Sequence, residues 1–214
     1  MKFSLDPETY SALVDVAWND SIDKLYKLSY DKTIDVQFGI YNKGFHKGWL
    51  TVNLKPSHGG IDWKINIQGW SKKTPYGKAH AGYWGELKKY GDNLLQRIGM
   101  LYKQYGCLGI LLAGRSKGAA EAELLIPMLP QVPVYCLAIE PPRCCDDKYK
   151  QSIRSGTAWG LTTCYKNDIV PGIPAWFRHP FEVYQNGERK SGLSIKDHQT
   201  ATEEKEVWQP TETK

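Results

Sequence analysis

Near the middle of the chain, Gly114-Arg115-Ser116-Lys117-Gly118 forms a Gly-x-Ser-x-Gly pattern, and its surroundings give it weight. The apolar stretch Cys107 to Ala113 runs into it, and a run rich in alanine, glutamate and leucine, Ala119 to Leu129, leads away. A serine on such a strand-to-helix turn has strained backbone angles and a hydroxyl lifted above the sheet edge. The glycines two before and two after let strand and helix approach, and the first amides of the helix point to where an oxyanion would form. Ser116 is therefore the expected nucleophile; the competing reading is a glycine-lined turn whose serine only caps the helix.

A serine hydroxyl is a weak nucleophile until a base takes its proton, and the base needs a carboxylate to fix its tautomer. Of five histidines, His46, His58 and His80 precede the serine. The order serine, acid, histidine that goes with this turn leaves His179 and His198. For the acid, Asp168 follows the apolar segment Leu161 to Tyr165, and Glu140, at the end of Val134 to Ile139, competes. The carboxyl ends of strands are where such a sheet gathers its functional groups. His198 lies in the polar stretch Lys196-Asp197-His198-Gln199, where a histidine is equally at home in solvent, so spacing alone does not choose between His179 and His198. Arg115 and Lys117 flank the serine with two cations. They can pair with Glu121, Glu123 or Glu140, attract anionic substrates, or mark a site that has lost its activity; structural pairing is the expectation.

The elements that must hold these residues are legible from hydrophobic period. Pro7 and Glu8 after Asp6 start a helix whose face carries Tyr10, Leu13, Val14 and Ala17. Ile34, Val36, Phe38 and Ile40 alternate as in a half-buried strand, as do Ile61, Trp63, Ile65 and Ile67, and Trp49 to Leu54 is a third candidate. From Tyr83 the period becomes helical through Leu87, Tyr90, Leu94, Ile98, Leu101 and Tyr102, ending at Gly106. A short helix over Asp146 to Arg154 separates the last two apolar segments. Strands alternating with helices imply an α/β fold, a central, mostly parallel sheet flanked by helices.

A chain of 214 residues with 41% hydrophobic content suits one domain over 1–214, with 203–214 as a charged, core-poor, disordered tail. The net charge of +5 is spread among carboxylates without a basic run, so no nucleic-acid partner is expected. The first residues carry Asp6, Glu8 and Asp15 and do not read as a secretory signal, and no apolar run approaches the roughly 20 residues of a transmembrane segment. The expected location is cytoplasmic. Cys107, Cys136 and Cys164 sit in apolar stretches as buried thiols, and adjacent Cys144 and Cys145 have no zinc-ligand spacing. Neither a metal nor a cofactor is expected.

Four stretches in order resemble the class 3 lipases. Gly114-Arg115-Ser116-Lys117-Gly118-Ala119 is similar to the family's Gly-His-Ser-Leu-Gly-Gly, and Ala79-His80-Ala81-Gly82-Tyr83 to its Val-His-x-Gly-Phe. Pro142-Arg143 resembles its Gly-x-Pro-Arg turn, and Asn167-Asp168-Ile169-Val170-Pro171 its Asn-Asp-x-Val-Pro. The resemblance covers about residues 50 to 200 and implies an α/β-hydrolase-like fold with Ser116, Asp168 and His198 as catalytic residues, His179 being structural. It implies an oxyanion hole made by Ser57, at the end of Leu54-Lys55-Pro56-Ser57, and the amide of Lys117. Pro56 stands where the family prefers glycine. The lid region Gln68 to Gly77 is short and polar apart from Trp70 and Tyr76, which suits water-soluble or micellar acyl esters better than an oil surface. The expected activity is acyl-ester hydrolysis of an ester or lipid small molecule, with peripheral lipid contact as a further option. The alternatives are a non-catalytic hydrolase-fold binding module, and phospholipase, thioesterase or acyltransferase chemistry on the same three residues.

Overall fold

In the computed structural model the described residues are 7–19, 25–31, 36–55 and 70–186, with Gly192, Ser194, Asp197 and His198. The expected strand at Ile61 to Ile67, Asp6 before the first helix, the expected oxyanion residue Ser57 and the tail 203–214 lie outside them.

Seven strands make one sheet, β1 (Leu25–Asp31), β2 (Val36–Tyr41), β3 (Leu50–Leu54), β6 (Ile110–Arg115), β7 (Val134–Ile139), β8 (Trp159–Tyr165) and β9 (Glu182–Asn186), in that spatial order. The first two junctions are antiparallel, and every junction from β3 to β9 is parallel. A separate small hairpin pairs β4 (Ser71–Lys73) with β5 (Lys78–His80). The helices are α1 (Pro7–Asn19), α2 (Ala81–Gln104), α3 (Lys117–Leu125) and α4 (Asp147–Ser155).

Two apolar layers sandwich the sheet. On one side Tyr83, Leu87, Leu94, Ile98 and Leu101 of α2 pack with Tyr149 and Ile153 of α4 onto Val52, Leu54, Ile110, Leu112 and Cys136. On the other, Tyr10, Leu13, Val14 and Ala17 of α1 meet Leu111, Ala113, Leu137 and Ile139. Consecutive residues of β6 thus serve opposite layers, which is why the strand reads as an unbroken apolar run. The same cover overturns the half-buried expectation for β2, where Gln37 and Gly39 are buried along with Val36 and Phe38. Gln37 is tolerated because its Oε1 accepts from Asn53 Nδ2 of β3 at 3.3 Å.

Helix boundaries follow local chemistry. Gly106, at φ 58°, turns the chain after α2. α3 is shorter than its alanine-rich run suggested, because Pro127 has no amide to donate and the chain tightens into a 3₁₀ turn over Ile126–Met128. Asp146 caps α4 by accepting from the Tyr149 amide at 2.9 Å. All five cysteines are buried free thiols, as the apolar settings of Cys107, Cys136 and Cys164 suggested for those three.

Candidate active site

Three adjacent parallel strands end in the same way. β6 is followed by Ser116 at φ 52°, β7 by Glu140 at φ 49°, and β8 by Lys166 at φ 42°. Each left-handed residue breaks its strand sharply, so the chain turns away and leaves side chains at the carboxyl edge of the sheet. The expected strand at Cys107 to Ala113 is shifted to Ile110–Arg115 and runs right up to the serine, since Gly114 and Arg115 still pair with Ala138 and Ile139.

At the elbow the Ser116 amide donates to Ile139 O at 2.8 Å, while its carbonyl receives the amides of Ala119 and Ala120. The residue thus belongs to strand and helix at once, with φ 52° and ψ −123° as the consequence. Both glycines are obligatory on steric grounds. A Cβ on Gly114 would lie 2.6 Å from the carbonyl carbon of Gly118, and one on Gly118 would lie 2.3 Å from Leu54 O. The second clash shows how closely the end of β3 passes over the start of α3. Leu54 and Lys55 therefore lie against the first turn of α3, and Ser57 lies outside the described residues. Lys117 opens α3, so its amide is among those a helix N-terminus leaves available.

The three residues expected to act together meet here. His198 Nε2 lies 3.0 Å from Ser116 Oγ, and Nδ1 lies 2.6 Å from Asp168 Oδ2. With Nδ1–H donating to the carboxylate, Nε2 is left to accept the serine proton. Asp168 is held by its other oxygen, which accepts the Val170 amide at 2.8 Å. The segment carrying His198 is latched to the Asp168 loop: Ser194 donates its amide to Asn167 O at 2.8 Å, and Asp197 Oδ2 accepts the Asn167 amide at 3.1 Å. A histidine in a polar loop thereby becomes a buried one.

His179 takes no part. Its Nε2–H donates to Pro171 O at 2.6 Å, and burial pushes the ring down to about 4, so it is a neutral strut under the loop that follows Asp168. Glu140, the competing acid, is fully buried and stands 3.5 Å from His198 Nδ1. The flanking cations are paired as expected: Arg115 Nε donates to Glu140 Oε2 at 3.3 Å, and Lys117 Nζ lies 3.8 Å from Glu121. Glu123 instead accepts from Cys144 Sγ and Thr162 Oγ1. One contact had no sequence signal at all. Arg115 Nη2 donates to the His198 carbonyl at 2.5 Å, across 83 residues of chain.

Glu140, Asp168 and His198 bring metal-ligating atom types within 4.8 Å of one another. Both ring nitrogens of His198 nevertheless face protein partners, so this arrangement is built for moving a proton.

The family model described as Lipase (class 3) matches residues 51–178, more than half of the chain. The chain belongs to the class 3 lipases. It is thus a carboxylic ester hydrolase of the serine type, on an α/β-hydrolase scaffold. The matched span includes Ser116 and Asp168 and stops short of His198, so the histidine rests on geometry. No curated protein sequence matches this class 3 lipase. Among solved structures it is similar to the Rhizomucor miehei lipase in its propeptide complex, with a TM-score of 0.69 and 17% identity over 89% of this chain and 77% of the other. It is also similar to a triacylglycerol lipase from Penicillium expansum, with a TM-score of 0.66 and 15% identity over 86% and 79% of the two chains. At such identities these likenesses speak for the fold.

Proposed function

We propose that this lipase hydrolyses water-soluble or micellar acyl esters with Ser116 as nucleophile, His198 as general base and acid, and Asp168 as the carboxylate that orients and supports the ring. The observation that carries the reading is the continuous Ser116–His198–Asp168 hydrogen-bond chain at 3.0 and 2.6 Å on a strained elbow. Ser116 Oγ attacks the ester carbonyl as His198 Nε2 takes its proton, giving a tetrahedral oxyanion. The reading takes the Lys117 amide, at the start of α3, as one oxyanion donor and Ser57 as the second. Collapse breaks the bond to the alkoxide, which leaves with the proton from Nε2. Water then gives its proton to Nε2 and attacks the acyl-enzyme, releasing the acid and regenerating the serine.

The preference for dispersed esters is supported by the lid region. Residues 70–80 contain a lysine-bearing hairpin whose first strand is exposed and whose second buries Ala79 and His80, tied at its turn by Thr74 Oγ1 donating to Gly77 O at 2.8 Å. It offers no continuous apolar face to an oil surface. Exposed Trp70, two and three residues before Lys72 and Lys73, and exposed Trp176, in the stretch that follows Asp168, support a peripheral, charge-assisted contact with lipid. Among the described residues no helix is long and apolar enough to cross a membrane. Five buried free thiols suit a reducing compartment and support a cytoplasmic location.

The test is labelling with a fluorophosphonate, followed by peptide mapping and by turnover of a soluble ester. Label on Ser116, lost in Ser116→Ala together with about three or more powers of ten in turnover, is the expected outcome. A folded, unlabelled wild type would move the assignment to a non-catalytic binding module.

A further inference from the structure

Glu140 is the buried group at the site that the acyl-transfer scheme leaves idle. Its Oε2 accepts from Arg115 Nε at 3.3 Å and stands 3.5 Å from His198 Nδ1, while Oε1 has no hydrogen-bond partner among the described residues. Arg115 in turn donates to the His198 carbonyl at 2.5 Å. The pair therefore holds the backbone of residue 198 through Arg115 and sets Glu140 3.5 Å from its ring. Nδ1 faces two carboxyls, Asp168 at 2.6 Å and Glu140 at 3.5 Å, and has one proton to give.

We propose that Glu140 is a second carboxyl for the catalytic imidazole: together with Arg115 it positions His198, and it takes over support of Nδ1 when Asp168 is removed. The proposal rests on the hydrolase mechanism above. Glu140 acts through His198, so it is a positioning residue. It would have to close by under about 1 Å to reach hydrogen-bond distance.

The charges around it work in the required direction. Burial first, then the neighbouring Asp168, push Glu140 up to about 9, with Asp197 adding to this and Arg115 opposing it. At neutral pH it is therefore an uncharged acid beside Asp168. Removing the Asp168 carboxylate deletes one of the influences that keep it protonated, while Arg115 remains. The imidazolium formed at each acyl transfer adds a second cation at 3.5 Å. Glu140 then ionises and supplies the missing negative charge.

The experiment is a kcat/KM profile against pH on a soluble p-nitrophenyl ester for the full chain, Asp168→Ala, Glu140→Gln and the double variant, with folding checked by circular dichroism. Losing the only acid of a triad costs about 10⁴-fold. Asp168→Ala is expected to lose about a hundredfold or less, with activity rising with pH as Glu140 ionises, and the double variant to fall at least another hundredfold and lose that rise. Wild type is expected to show a further rise near pH 9 that Glu140→Gln abolishes. Equal activities of the folded single and double Asp168 variants overturn the proposal. If Asp168→Ala does not fold, wild-type and Glu140→Gln profiles that superpose overturn it. Such a result in an active, labelled enzyme leaves the hydrolase mechanism standing, whereas an inert wild type removes both.

Discussion

Ser116 pays for its reactivity in backbone strain, holding φ 52° and ψ −123°, a region that costs an L-residue about 1–3 kcal/mol. Ser116→Gly should therefore raise the stability by about 1 kcal/mol in a thermal melt while abolishing fluorophosphonate labelling. Ser116→Ala keeps the Cβ and should lose the label without the gain. His179 gives a pH test of a different kind. Its ring is held down to about 4 in the fold and returns to its ordinary value, near 6.5, on unfolding. Between those values the unfolded chain binds the extra proton, so stability is fully present above pH 6.5 and falls as pH drops to 4, by roughly 2–3 kcal/mol. His179→Gln should flatten that slope in melts across the window, with kcat near neutral pH changed far less than by His198→Ala.

Element packing sets the site through two glycines that leave no room. At Gly118 a Cβ would be 2.3 Å from Leu54 O and 2.6 Å from Lys55 O, both backbone atoms of the strand end that flanks the serine. Gly118→Ala must separate α3 from β3, at a cost of about 1–3 kcal/mol by the usual penalty for overpacking. Because the same movement shifts the Lys117 amide, the labelling rate should drop as well. A variant as stable and as quickly labelled as wild type would show that this approach is not needed. The shared left-handed break after β6, β7 and β8 has the same character: it turns three strand ends into three side chains at one edge.

For the molecule as a whole, the hairpin of β4 and β5 in the lid region predicts how the enzyme meets its substrate. Hydrolysis of a short-chain ester should rise smoothly through its solubility limit, since nothing in residues 70–80 offers a broad apolar face to an oil droplet. A sharp jump in rate at the limit would contradict this. Binding to vesicles rich in anionic lipid should weaken with added salt and with Trp70→Ser, read by sedimentation, because lysines and the exposed indoles of Trp70 and Trp176 are the contact on offer.

Much of this was present in the chain order alone. The Gly-x-Ser-x-Gly turn between an apolar run and a helix, the aspartate just past an apolar segment, and the α2 face from Leu87 to Leu101 are local patterns, and local patterns survive in a sequence. The strands β1 and β9 at the two ends of the described sheet and the three-residue hairpin strands β4 and β5 were not anticipated, because none of them carries a clear hydrophobic period. The residues alone left Asp168 against Glu140 and His179 against His198 open, and the family resemblance favoured Asp168 and His198; the reach of Arg115 across 83 residues and the spacings of 2.6 and 3.5 Å from His198 to Asp168 and Glu140 depend on which strand ends become neighbours. The sequence determined what chemistry was available and on which turn. The distances that set Asp168 and His198 beside Ser116, and leave His179 apart from them, belong to the tertiary structure, since hydrogen bonding acts over about 3 Å and is blind to separation along the chain.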